Sequence, residues 1–326
     1  MSQLSSSSRT GVLFGPLLMV LASLVLAGSN IPQGLLPTPA QYGGFGMAST
    51  GMAFWQYLIA TICVLPLIFR IGVQNLRTRH PVLHELRAFV SALGVHVFVY
   101  GFAIQMPIWQ LVTLLSTGPL FIALGSIVFL HERITLTRIV ASFVAFVGAI
   151  LASQLGTDGF SPTILIPIAA AALWATTDVL TKYLSRTESP ETLTVSLLVL
   201  ITPNHLLILL VATTWAALLP GLTPAGLATG FPFQLPAGAG LWFLLALGVL
   251  TAVAQYLLAA AYRRADATYL QPFGDLKVPL TALLGWVLLG QTPATWFWLG
   301  AAMIIAASLF ILYAEGGTQR RTLATA

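Results

Sequence analysis

Apolar runs of about twenty residues recur along the whole chain, with prolines, glycines and the few charged residues gathered between them. A helix rises 1.5 Å per residue, so about twenty residues match the ~30 Å hydrocarbon core of a bilayer. Ten such segments can be cut: 11–36, 52–69, 88–104, 108–130 and 138–155 in the first half, then 163–184, 193–219, 239–262, 267–289 and 295–313 in the second. Only 7% of the residues are charged, against roughly a quarter in an ordinary soluble domain. A water-soluble globule cannot cover its surface with so few charges. The expected class is an all-α membrane protein of ten transmembrane helices.

The basic residues fix the orientation. With a cytoplasmic amino terminus, Arg9, Arg70, Arg77, Arg79, Arg87, Arg133, Arg138, Lys182, Arg186, Arg263, Arg264, Arg320 and Arg321 all fall on cytoplasmic segments or helix ends, thirteen of the 14 Lys and Arg. The opposite loops, including the Pro- and Gly-rich stretch 220–240, carry none. Basic residues near span ends are retained on the cytoplasmic side, so both termini are expected there. The net charge of +5 therefore reports topology and calls for no nucleic-acid partner. A cleaved signal peptide over residues 1–29 would leave nine spans and break this pattern; its apolar run is also longer than a usual signal core. Tails at 1–10 and 315–326 flank the spans.

Five spans per half is an odd number, so the second half enters the membrane from the opposite side. The halves also echo each other in sequence. Leu24-Val25-Leu26-Ala27-Gly28-Ser29-Asn30 aligns with Leu173-Trp174-Ala175-Thr176-Thr177-Asp178; Pro119 and Gly125 in span 4 answer Pro279 and Gly285 in span 9, and Glu132 answers Gln291. The expected architecture is two inverted five-helix repeats, 11–155 and 156–314, a recurrent plan of secondary transporters.

These residues resemble a known family, the drug/metabolite transporter superfamily and its ten-span EamA-type branch. The likeness is carried by Gly118-Pro119-Leu120 through Leu130-His131-Glu132-Arg133-Ile134 with Gly148 beyond, and by Gln271-Pro272-Phe273 through Gln291-Thr292-Pro293 with Gly300. Tyr262-Arg263-Arg264-Ala265 and Ser185-Arg186-Thr187-Glu188-Ser189-Pro190 are similar to a bacterial branch that includes riboflavin and S-adenosylmethionine uptake proteins. The second repeat of the family usually closes on Glu, where this chain has Gln291. The resemblance implies a secondary transporter of the bacterial inner membrane, monomeric or homodimeric. Its central cavity would be bounded by spans 1 to 4 and 6 to 9.

Ionisable groups within a span are expensive and read as functional by default. Lys277 and Asp275 lie deep in span 9 among Pro272, Gly274 and Pro279, where Pro279 cannot donate to the Asp275 carbonyl and a break in the helix is expected. Asp178 in span 6 sits four residues before Lys182, the order for an i,i+4 pair, yet lies at a depth similar to Lys277. Asn30 is its counterpart in span 1. His96 and His205 are candidate proton carriers, since imidazole titrates near neutrality, and Tyr100 lies one turn beyond His96 with Gln110 opening the next span. Trp55, Trp174, Gln255 and Tyr256 offer aromatic and amide surface to a planar or cationic ligand. Trp109, Trp242, Trp296 and Trp298, at span ends, read as an interfacial belt.

The expected substrate-binding set is thus Asn30, Trp55, His96, Tyr100, Trp174, Asp178, Gln255, Tyr256, Asp275 and Lys277, with no metal and no cofactor. Both signs of charge beside aromatic rings suit an amphoteric metabolite, such as an amino acid or S-adenosylmethionine, moved by exchange or with protons as the coupling ion. His80, His84 and Glu85 have helical metal-ligand spacing but lack further ligands, and read as a solvated cytoplasmic loop. Glu132 and Arg133 read as a helix-end charge pair. The single cysteine, Cys63, rules out a disulfide framework, and no Walker A sequence supplies ATP. A lipid-linked sugar flippase shares the fold. A lipid-modifying enzyme working through His80, His84 or His131-Glu132 lacks a nucleophile, so no enzyme is expected.

Overall fold

Lipid offers backbone amides no partners, so a chain this apolar must satisfy them within its own helices. The computed structural model describes residues 4–72, 74, 78–104, 106, 111–112, 114–132, 135–152, 162–222, 234–290, 292–293 and 295–325, and no strand occurs among them. The helices are α1 (Leu4–Leu35), α2 (Ser49–Ile71), α3 (Pro81–Ala103), α4 (Gly118–Gly125), α5 (Leu136–Ala152), α6 (Leu165–Leu184), α7 (Pro190–Leu218), α8 (Ala239–Arg264), α9 (Ala267–Gly274), α10 (Lys277–Leu289) and α11 (Thr295–Thr325). Among the described residues, seven segments are long and apolar enough to cross a membrane alone, and the shorter apolar helices Gly118–Leu130, Leu136–Gly148 and Thr295–Ile311 are consistent with a total of ten spans. Spans 1 to 8 are α1 to α8, span 9 is α9 with α10, and span 10 is α11. The protein is an integral, multi-pass membrane protein, and large apolar side chains such as Phe69, Phe129 and Val287 stand exposed on its outer faces.

Helix ends follow local chemistry. Pro81 occupies the first turn of α3, where its missing N–H costs nothing, so that helix begins seven residues before the apolar run at Ala88. His84 and Glu85 therefore lie on a helix and not in the solvated loop expected from sequence. Pro190 does the same for α7, whose Ser189 cap accepts from the Thr192 amide at 3.1 Å. α4 runs into a π-turn, Ser126–Leu130, and stops at His131, in the left-handed region at φ 54°.

Span 9 is broken where the prolines predict. The Asp275 carbonyl, which Pro279 cannot serve, accepts instead from Val278 N at 3.0 Å. The carbonyls of Phe273 and Gly274 at the break accept from Ser23 Oγ of α1 at 2.8 and 3.1 Å.

The packing repeats under exchange of the halves, as an inverted repeat requires. α1 packs on α8 as α6 packs on α3; α2 packs on α8 as α7 packs on α3; α1 packs on α10 as α6 packs on α4. α2 meets α7 and α5 meets α11 across the pseudo-axis. In the latter contact a Cβ on Gly148 would lie 2.7 Å from the Gly300 carbonyl oxygen, so the two backbones touch.

Candidate functional site

Where the repeats face each other a cavity remains, about 1220 Å³ of unfilled space including its open mouth. Its walls come from α1, α2, α3, the segment at Leu115, α6, α7, α8, α9 and α10, and no described residue of α5 or α11 takes part. Most polar lining groups are neutral. Gln56 Nε2 donates to Thr251 Oγ1 at 2.8 Å, and Asn30 Nδ2 donates to Thr281 Oγ1 at 3.0 Å, fastening the first repeat to the second. Trp174 edges into the space beside Gly94, where a Cβ would lie 2.8 Å from the indole, and packs on Phe98 with ring centroids 5.2 Å apart.

The charged lining groups are Arg87, Asp178 and Lys277. Lys277 acts electrostatically on both Asp178 and Asp275, and the Tyr262 hydroxyl is hydrogen-bonded to Asp178. Arg87 is 1% exposed although the sequence places it among the topology markers. It donates to the Leu193 carbonyl at 2.6 Å and to Thr181 Oγ1 at 3.2 Å, and its guanidinium is 3.4 Å from His84 Nδ1. His84 Nε2 pairs with Glu188 at 2.7 Å. Burial without partners would be costly for Arg87 and His84, and these bonds join them to Glu188, Thr181 and Leu193.

Of the residues singled out in the sequence, Asn30, Trp174, Asp178, Gln255 and Lys277 line the cavity. Asp275 is buried at the break in span 9, between the lining residues Gly274 and Lys277, and its Oδ2 has no hydrogen-bond partner among the described residues. Trp55 packs against the apolar core, and Tyr256 is 37% exposed with its hydroxyl donating to Glu191 at 3.1 Å. Neither is in the lining, nor are His96 and Tyr100. His96 instead contacts His205, Nε2 to Nδ1, at 3.0 Å.

Lys182 does not pair with Asp178 as its spacing suggests. Its ammonium reaches across to α8, donating to the carbonyls of Ala265 at 2.7 Å and Tyr262 at 3.2 Å. Glu132 likewise serves the other repeat, accepting from Ala267 N at 3.3 Å and Thr268 Oγ1 at 3.0 Å. Trp109, Gln110, Arg133 and Gln291 lie outside the described residues. The sequence does not mark Arg87, Gln56, Tyr57, Thr251, Tyr262 or Gln271 as site residues, yet all of them line the cavity. Gln56 and Tyr57 carry a signal in retrospect, because an amide next to a phenol mid-span is seldom placed against lipid.

The EamA-like transporter family matches residues 13–154 and 161–313, one match to each repeat. A riboflavin transporter of Rhizobium johnstonii is 40% identical over 96% of this chain and 98% of its own length. A riboflavin transporter of Vibrio cholerae is 38% identical over 94% of this chain and 95% of its own. An S-adenosylmethionine uptake transporter of Rickettsia felis is 27% identical over 90% of this chain and 91% of its own. A solved crystal structure at 18% identity shares the fold, with a TM-score of 0.66 over 96% of this chain and 98% of that one.

Proposed function

The chain belongs to the EamA-like transporter family and is a small-molecule transporter, not an enzyme, and on that premise we propose that its cargo is riboflavin or a planar heteroaromatic metabolite of the same chemistry. The observation that carries this reading is the neutrality of the cavity's hydrogen-bonding surface. Riboflavin is an uncharged tricyclic ring bearing a polyhydroxyl chain. Such a ligand needs an aromatic face to stack on and many neutral donors and acceptors, but no counter-ion. Trp174 supplies the face, and Asn30, Gln33, Gln56, Thr251 and Gln255 supply the amides and hydroxyls. Arg87 is hydrogen-bonded within the protein, and Lys277 and Asp178 act on each other electrostatically, which spares an uncharged ligand the role of counter-ion. The relatives named riboflavin transporters support the same choice.

A second reading, an amphoteric metabolite, is favoured by Lys277 beside Asp178 and Asp275 and by the more distant S-adenosylmethionine uptake relatives. On either reading the cargo passes by alternating access in a bacterial inner membrane, with both termini cytoplasmic. Uptake of labelled riboflavin into proteoliposomes, with unlabelled competitors, separates the two. Competition by riboflavin but not by S-adenosylmethionine or amino acids is expected. Trp174→Ala should weaken binding about tenfold or more, since stacking a heterocycle on an aromatic ring is worth ~1–3 kcal/mol. Absence of riboflavin uptake, with labelled S-adenosylmethionine taken up instead, would install the second reading.

A further inference from the structure

We infer that the protein has a second ligand site, for a single proton, in the His96–His205 pair outside the cavity. His205 is fully buried on α7, and His96 on α3 is 9% exposed. Their rings face each other with His205 Nδ1 and His96 Nε2 3.0 Å apart. A neutral imidazole carries one N–H and one lone pair. The contact between the rings consumes one N–H and one lone pair, whichever ring donates. His96 Nδ1 and His205 Nε2 must then hold the remaining N–H and the remaining lone pair, and neither has a partner among the described residues. The pair therefore keeps one vacant basic nitrogen. A proton that enters fills that lone pair and leaves the hydrogen bond between the rings in place.

The surroundings tie this vacancy to transport. The Tyr57 ring of α2 stacks on His205 with centroids 4.5 Å apart and 30° between planes. Tyr57 also lines the cavity and is hydrogen-bonded there to Gln255 of α8, so one side chain separates cargo from histidine. α3 adds Tyr100, one turn beyond His96. On α7, Asn204 precedes His205 and donates at 2.8 Å to Glu85 of α3, while Glu191 sits at the far end of the helix. α8 contributes the neutral Gln255 behind Tyr57, the turn Pro220–Leu222 carries no ionisable group, and α6 presents Asp178 to the cavity. No salt bridge is made by either ring among the described residues.

His96 belongs to the first repeat and His205 to the second. Movement of one repeat against the other changes the distance between the rings and admits water to the outer nitrogens. A site whose proton affinity differs between two conformations biases their equilibrium by the same free energy. Proton binding here thus drives the swing of the repeats, with Tyr57 as the wall shared between the histidine pair and the cavity. The inference rests on the transporter reading and not on the identity of the cargo.

Two measurements test it on the full chain. In proteoliposomes with a trapped pH dye, wild-type riboflavin movement should carry a proton signal, and an imposed difference of one pH unit should drive about tenfold accumulation. His96→Gln and His205→Gln should keep riboflavin counterflow, which shows that they are folded, and lose both the proton signal and the accumulation. Riboflavin movement without a proton signal in the wild type, or a signal that survives in both variants, would overturn the site. The second measurement needs no cargo. In histidine-selective nitrogen-15 spectra of the wild type, His96 and His205 should titrate together in one shared step, and His205→Gln should displace the step of His96. Two independent steps, no step at all, or a His96 step unmoved by His205→Gln would overturn the inference even if riboflavin proves to be the wrong cargo.

Discussion

Lys277 is the residue most exposed to a sharp test, because its charge reaches two acids at once. Asp178 lies across the cavity on α6, and Asp275 is buried at the break in its own span. Removing one member of such a group leaves the others as uncompensated charges in a water-poor site, at a cost of about 3–5 kcal/mol. Lys277→Met should therefore abolish transport or lower it at least tenfold. The double variant Lys277→Met, Asp178→Asn should recover part of that loss, read as initial uptake per inserted protein. Wild-type uptake by Lys277→Met would make the lysine mere packing. This cluster was legible in the sequence because a charge within an apolar run stands out against its neighbours. Arg87 was not legible: six residues past Pro81, it counts equally well as an end-of-helix topology marker, and only the tertiary contacts with Leu193 and Thr181 reveal it as buried. Thr251 was hidden for another reason. A threonine in a span satisfies itself locally, as Thr251 does on the Leu247 carbonyl at 2.7 Å, so its sequence context says nothing about Gln56.

At the level of elements, two features follow from backbone chemistry and one from close approach. The break between α9 and α10 and the early start of α3 are both written in prolines. The break was readable because Pro272 and Pro279 flank a Gly, whereas the start of α3 was masked by the polar residues His84, Glu85 and Arg87, which imitate a loop. His84 and Arg87 spend their hydrophilicity inside the protein, on Glu188, Thr181 and Leu193, and the exposed Glu85 accepts from Asn204. The contact of α5 with α11 depends on glycine at 148, where an added Cβ would meet the Gly300 carbonyl oxygen at 2.7 Å and the Met303 Cβ at 2.8 Å. Backbone cannot step aside as a flexible side chain can. Gly148→Ala should part the two helices and cost about 1–3 kcal/mol, the usual penalty of overpacking. Gly28→Ala in α1, with nothing within 4 Å of the new Cβ, is the control and should leave stability unchanged or slightly raised. Thermal unfolding in one detergent compares them; equal melting temperatures would mean that α5 and α11 slide without penalty.

Across the whole molecule, the inverted repeat is symmetric in packing but not in charge, and the asymmetry sits at the end where the basic residues gather. There Arg138 of the first repeat pairs with Asp266 at 3.1 Å and donates to Thr268 at 2.9 Å, while Glu132 caps the first turn of α9. Arg186 returns the contact from the second repeat, donating to the Leu130 carbonyl at 2.7 Å. The opposite loops have no Lys or Arg to build an equivalent, and the counterpart of Glu132 in sequence is the uncharged Gln291. On the alternating-access reading proposed above, these charge-assisted bonds between repeats would have to break for the cavity to open at this end, and the latch would bias the resting population towards the closed arrangement there. Neutralising it with Glu132→Gln and Asp266→Asn together should shift that population by about 1–2 kcal/mol, a factor of roughly 5–30. The exposed Cys63 is first replaced by serine, and a cysteine is placed at Gln271, on the cavity wall near the latch. Its reaction with a membrane-impermeant maleimide applied from the basic end should then accelerate several-fold in the latch variant. Reporter fusions active only in the cytoplasm identify that end, and both termini should give signal. Labelling that accelerates equally from the opposite side would mean that the two repeats loosen as a whole, and unchanged labelling from both sides would mean that these bonds do not hold the gate.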